Sequence, residues 1–177
     1  DSFSLDVSNF TPEGYNYDGV EVDVTARLAD RYNNPVPDGT AVVFTTEGGS
    51  IVGSCTTANG ACSVKWTSQN PRPADGRSTL VAYAVGEESY TEVNADGRFG
   101  FEDSFDPIAQ DIGEPFLDNN EDGLWQAGEW FFDFIKDGSR NEGDDLFNGW
   151  LCDDNNRCSP NHSVNVFGDA VIVMAES

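Results

Sequence analysis

Apolar and polar residues alternate through the first half of the chain and again at its end. Phe3, Leu5 and Val7 occupy every second position of DSFSLDVSN, the period of a strand with one buried face. Past a turn at Pro12-Glu-Gly14, Val20, Val22, Val24, Ala26 and Leu28 repeat the pattern with polar residues between them. Residues 30–39 hold Pro35 and Pro37, each of which denies a ladder a donor, so this stretch reads as a turn. Residues 40–46 form the next strand. Residues 50–55 and 62–68 predict a pair of strands joined across 56–61, with Asn59-Gly60 as the turn and Cys62, Val64 and Trp66 facing inward. Residues 78–85 are strand-like, and a final strand covers 163–167 and, past a bend at Gly168-Asp169, 170–174. About seven short strands without an amphipathic helix predict an all-β sandwich in a single domain, residues 1–177. A barrel of similar strand count is the alternative.

Residues 86–160 interrupt this pattern as an irregular insertion before the last strand. The 177-residue chain carries 32 acidic and 9 basic side chains, a net charge of −23. Residues 87–158 alone hold 20 acidic and 4 basic groups, with few aliphatic residues to build a core against their repulsion. Divalent cations would relieve that repulsion, and without them the segment is expected to be disordered. The same charge argues against nucleic acid or an anionic lipid surface as a partner.

The insertion contains a 15-residue repeat. Gly113-Glu-Pro-Phe-Leu-Asp118-Asn-Asn-Glu-Asp-Gly123 aligns with Gly128-Glu-Trp-Phe-Phe-Asp133-Phe-Ile-Lys-Asp-Gly138. In the first copy Asp118, Asn120, Asp122, Gly123 and Glu129 take positions 1, 3, 5, 6 and 12 of a calcium loop of the EF-hand type. Calcium takes six to eight oxygen ligands, and alternate side chains converge on one point only if the chain then turns sharply, which glycine at position 6 permits. Leu124 offers its carbonyl and Gln126 an amide oxygen or a water. The second copy places Asp133, Asp137, Gly138, Asn141 and Asp144 at positions 1, 5, 6, 9 and 12; Ile135 cannot ligate through its side chain, and Asp145 or Glu142 could substitute. A third copy, 88–97, puts Glu92, Asn94, Asp96 and Asp103 at positions 1, 3, 5 and 12. One to three calcium ions are expected. Phe116, Trp125, Trp130, Phe131, Phe132, Phe134 and Trp150 are the expected packing groups between loops.

Four cysteines form two close pairs, Cys55/Cys62 and Cys152/Cys158, neither with CxxC spacing, and His162 is the single histidine. Two local disulfides and an oxidising compartment outside the cytosol are the better reading, against four free thiols. No apolar run approaches a membrane span. Without a signal peptide, the chain is expected to begin at a mature terminus or to have been cut from a longer polypeptide.

Residues 20–85 carry a further pattern. Val24-Thr-Ala-Arg-Leu-Ala-Asp30-Arg-Tyr-Asn-Asn-Pro35-Val-Pro37, then Val42-Val-Phe44, then Thr57-Ala-Asn-Gly60-Ala-Cys-Ser-Val64 resemble the bacterial Ig-like group 1 domain of invasin and intimin surface proteins. The resemblance implies an immunoglobulin-like sandwich, strung in tandem at a cell surface, with no catalytic residues to carry over; the acidic insertion departs from the family pattern. The expected function is therefore a non-enzymatic extracellular module, structural or adhesive and stiffened by calcium. Its partners would be neighbouring Ig-like domains, identical subunits, or a host or surface glycan or protein. Two alternatives stand beside it: a filament subunit joined by strand exchange through residues 1–9, and a calcium-dependent carbohydrate-binding module with Trp125, Trp130 or Trp150 as platform.

Overall fold

A computed structural model describes residues 1–176. It is all-β, with eight strands in two four-stranded sheets and no helix among the described residues. One sheet has the order β1 (Ser2–Val7), β2 (Glu21–Ala29), β6 (Ala61–Thr67), β4 (Ser50–Ile51). The other has the order β5 (Ser54–Thr56), β3 (Ala41–Thr46), β7 (Arg77–Gly86), β8 (Val164–Val173). The period-two reading of β2 holds: Val22, Val24, Ala26 and Leu28 are buried, and on β6 so are Val64 and Trp66. These face Val42, Phe44, Leu80, Ala82, Ala84 and Ile172 in one core.

The expected hairpin between 50–55 and 62–68 is formed only in part: Ser50 and Ile51 pair antiparallel with Thr67 and Trp66, and the rest of the first strand does not follow. The chain changes sheet at Val52-Gly53: the Val52 N–H bonds Lys65 O on β6, while Gly53 O accepts from Phe44 N–H on β3. One expected strand is thus β4 in one sheet and β5 in the other, which is why the count is eight. Asn59 and Gly60 do adopt the left-handed φ values of the predicted turn, 54° and 74°. Disulfide Cys55–Cys62, with its Cα atoms 6.1 Å apart, consequently ties β5 of one sheet to β6 of the other. It closes a separation of 7 residues, so replacing both cysteines by alanine should cost about 2 kcal/mol, read from a urea midpoint.

A further expectation is corrected. β8 runs unbroken through Gly168-Asp169; Gly168 serves packing, since a Cβ there would stand 3.0 Å from Phe3 Cδ1. β1 lies antiparallel to β2 of its own chain over six residue pairs, Ser2↔Ala29 to Val7↔Val24.

The chain divides into two compact units. Among the described residues the sandwich unit holds 2–84, 115–131 and 167–176, so part of the expected insertion belongs to it. β7 explains this within the sandwich. Ser78, Thr79, Leu80, Val81 and Ala82 are all buried, so both faces of the strand are covered, and the Thr79 hydroxyl donates to Asp118 O at 3.0 Å. The other unit holds Asp1, 85–114 and 132–166. Poor in aliphatic residues, it nevertheless builds an aromatic core, contrary to expectation. Phe99 and Phe147 are fully buried, with ring centroids 4.8 Å apart, and Tyr90 and Phe105 pack on them. Arg157 caps Phe99 at 4.6 Å, and disulfide Cys152–Cys158 closes the adjoining loop. The aromatics expected between loops are more open, Trp150 being 69% and Trp130 46% exposed. With both disulfides formed and no free cysteine among the described residues, the chain suits a non-reducing compartment.

Candidate metal centre

The three repeat copies fold to one hydrogen-bond register. In residues 92–103 the Gly97 N–H donates to Glu92 Oε2 at 3.2 Å, and the Arg98 N–H to Asp96 Oδ1 at 2.8 Å. Asp103 closes the loop, its two oxygens accepting from Val93 and Gly100 N–H at 2.8 Å each. Each carboxylate spends one side on backbone donors, which fixes where its remaining lone pairs point. As a result, ligand oxygens of Glu92, Asp96 and Asp103 all lie within 4.8 Å of one another. Glu92 Oε1 is buried without a hydrogen-bond partner, and Asp103 is 3% exposed. Asn94 Oδ1 accepts from Asp96 N–H, so position 3 joins the same turn. A buried, unpartnered carboxylate oxygen is costly unless a cation or a proton meets it.

Residues 118–129 repeat the register. Gly123 N–H donates to Asp118 Oδ2 at 2.6 Å and Leu124 N–H to Asp122 Oδ1 at 2.9 Å. Glu129 accepts from Asn119 and Gln126 N–H at 3.0 and 2.8 Å. Here two amides sit among the acids: Asn120 Nδ2 and Gln126 Nε2 both donate to Asp122 Oδ2. A half-turn of either amide about its terminal torsion would present oxygen in place of N–H and make it a ligand. Glu121, between ligand positions, has another task. It accepts a two-pronged hydrogen bond from Arg77 at 2.5 Å, which docks the loop on β7 and holds the Glu121 carboxyl below its usual range. Trp125 packs on Phe131 and gives its indole N–H to Glu129 O.

Position 4 and position 6 carry left-handed backbone in all three loops. Ala95, Glu121 and Lys136 have φ of 60°, 60° and 59°, and Gly97, Gly123 and Gly138 have 76°, 80° and 79°. Glycine was expected at position 6; the strained residue two places earlier was not.

The loop starting at Asp133 departs from the sequence reading. Gly138 N–H donates to Asp133 Oδ2 at 2.9 Å and Ser139 N–H to Asp137 Oδ1 at 2.8 Å, as expected. Asp144 does not close it. Its oxygens accept instead from Leu146 N–H and the Ser159 hydroxyl. Nor do the two substitutes: Glu142 pairs with Arg140, and the Asp145 N–H turns to Asp111. The closing carboxylate is Glu114, 7% exposed, which accepts from Phe134 N–H at 2.7 Å and Asn141 N–H at 3.0 Å. Those are positions 2 and 9, the same pair that Glu129 and Asp103 clamp in their loops. The repeat held the signal, since Glu114 stands four residues before Asp118 as Glu129 stands four before Asp133. Counting forward to position 12 hid it.

A fourth acid follows the same rule of position. Glu88, four residues before Glu92, is 1% exposed and accepts from Ile112 and Asn148 N–H at 2.7 and 2.8 Å. Burial, with the neighbouring Asp111 carboxylate adding to it, pushes its carboxyl up to about 8.

No family model matches the chain, and comparison with curated proteins and with solved structures finds no match either. The site therefore rests on its own chemistry.

The Glu114 clamp can be tested without any ion. A hydrogen bond to a charged group contributes about 1.5–3 kcal/mol. Glu114→Ala should therefore speed hydrogen exchange at the Phe134 and Asn141 amides by about 10-fold or more. Asp144→Ala should leave those two amides unchanged; the reverse pattern would restore Asp144 as the closing residue.

Proposed function

We propose that this chain is a non-enzymatic, calcium-stiffened module of an extracellular bacterial surface protein, structural or adhesive in role. The observation that carries the reading is the convergence of Glu92, Asp96 and Asp103 around a buried oxygen that has no partner. Hard carboxylate and carbonyl oxygens without thiolate or imidazole suit calcium rather than zinc. Asn94 would complete that first set. Asp118, Asn120, Asp122 and Glu129, with the Leu124 carbonyl, would hold a second ion; Asp133, Asp137 and Glu114 would hold a third.

Placement outside the cell is supported by the two disulfides and by millimolar external calcium, against which weak loop sites of this class fill. The immunoglobulin-like character rests on the two-sheet strand order and on the turn at Asp30. There Asp30 Oδ1 accepts from Tyr32 and Asn34 N–H, fixing the Asn-Pro-Val-Pro bend that carries the sequence resemblance. The strand-exchange alternative is less well supported, since β1 already fills the edge beside β2. Melting and trypsin digestion of the whole chain with and without calcium test the proposal; a chain indifferent to the ion would overturn it.

A further inference from the structure

The hydrogen-bond register of the three loops recurs a fourth time, on residues that are not consecutive. Asp145 N–H donates to Asp111 Oδ2 at 2.6 Å, as the position-6 amide does to the position-1 acid elsewhere. Asp145 has a φ of 61°, the left-handed backbone that glycine supplies in the other loops. Leu146 N–H donates to Asp144 Oδ1 at 3.1 Å, the bond from position 7 to position 5. Ile112 and Asn148 stand at positions 2 and 9, and Glu88 clamps both amides. The loop therefore begins at 111–112 and resumes at 143–148, with the intervening residues looping out. Sequence spacing could not reveal it.

Register alone does not make a site. The further observation is Asp111 Oδ1, which is buried and has no hydrogen-bond partner. It lies tight on the backbone of Gly143, where a Cβ would stand 1.9 Å away. The Asp111 carboxylate faces that of Glu88, itself 1% exposed. Ionised carboxylates are acceptors only, so two that face each other need a proton or a cation between them. Asp111, Asp144 and Asn148 also line an open cavity of about 440 Å³.

We propose that Glu88, Asp111 and Asp144, with the carbonyl of Leu146, form a fourth calcium site, a loop cut in two by the excursion between 113 and 142. This rests on the calcium reading above and extends it to a site closed by three distant parts of the chain. It also gives Asp144 a role once Glu114 has displaced it from the second copy.

The test is the number of calcium ions bound by the whole folded chain, counted by native mass spectrometry at saturating calcium. The wild type is expected to hold one more ion than Asp111→Asn, a variant that keeps an acceptor for the Asp145 amide. Asp118→Asn should lose a different ion, so the double variant loses two. Equal counts for wild type and Asp111→Asn would overturn the fourth site and leave the three-loop reading standing. A wild type that binds no calcium would overturn both. Should Asp111→Asn fail to fold, a titration of the Asp118→Asn chain followed through the Asp145 and Asn148 amide resonances decides it. Both should shift with calcium, and resonances that stay fixed to saturation, as a shared proton between the acids would leave them, would sink the idea.

Discussion

Chelating divalent cations should lower the melting temperature of the chain and open residues 132–144 to trypsin. The physical reason is charge. Between 87 and 158 the chain packs 20 acidic side chains against 4 basic ones, and Glu92, Asp96 and Asp103 bring oxygens within 4.8 Å of one another. An ion held at 100 times its dissociation constant stabilises the bound state by about 2.7 kcal/mol. At about 2–4 °C per kcal/mol for a chain of this size, one site corresponds to roughly 5–10 °C. The proteolytic arm is specific. Lys136 is exposed yet locked at φ 59° in a tight loop, a geometry a protease cannot thread. The Arg140 side chain is 7% exposed and donates to Glu114 O at 2.8 Å. Both should become cleavable when calcium is removed and resist again when it returns. Identical melts and digests in chelator and in calcium would remove the stiffening role.

The second large effect concerns the sandwich. Trp66→Ala should cost about 3–5 kcal/mol, seen as a fall in the urea midpoint with little change in slope. Trp66 is fully buried, and its indole N–H donates to Gly48 O at 2.9 Å. Its ring lies on Gly49, where a Cβ would come within 2.7 Å of the indole, so little can move in to fill the space. Trp66→Phe should be milder. Gly48 O keeps the Thr46 and Ser78 hydroxyls as donors, so losing the indole N–H does not orphan it. Equal costs for the two variants would mean that the hydrogen bond, not the packing volume, dominates at this position.

What the sequence made legible was local. Val22, Val24, Ala26 and Leu28 declare a buried face because the strand period is two, and Asn59-Gly60 declares its turn because few other pairs tolerate the required φ. The hydrogen-bond register of the first and third copies was readable because each loop closes on itself within twelve positions. Illegible features depend on partners far along the chain. The sheet change at Val52-Gly53 is decided by which neighbour, Lys65 or Phe44, each backbone group meets. Glu114 reaches Asn141 across 27 residues, and Glu88 reaches Asn148 across 60. The aromatic core of Phe99 and Phe147 was missed for a similar reason: each sits at position 8 of its loop, a place the ligand pattern leaves unmarked.

That difference in reach sets an order of assembly. The clamp of the loop at 92–103 joins residues 10 apart, Val93 to Asp103, whereas the Glu88 clamp joins residues 60 apart. By loop-closure entropy the longer closure costs about 1.6 kcal/mol more, before any contact rewards it. The short clamp can gather while most of its surroundings are still unstructured; the Glu88 clamp must wait until 111–112 and 143–148 have been brought together. It thus acts as the last latch on the acidic unit, and one that stays open in any chain truncated before residue 148.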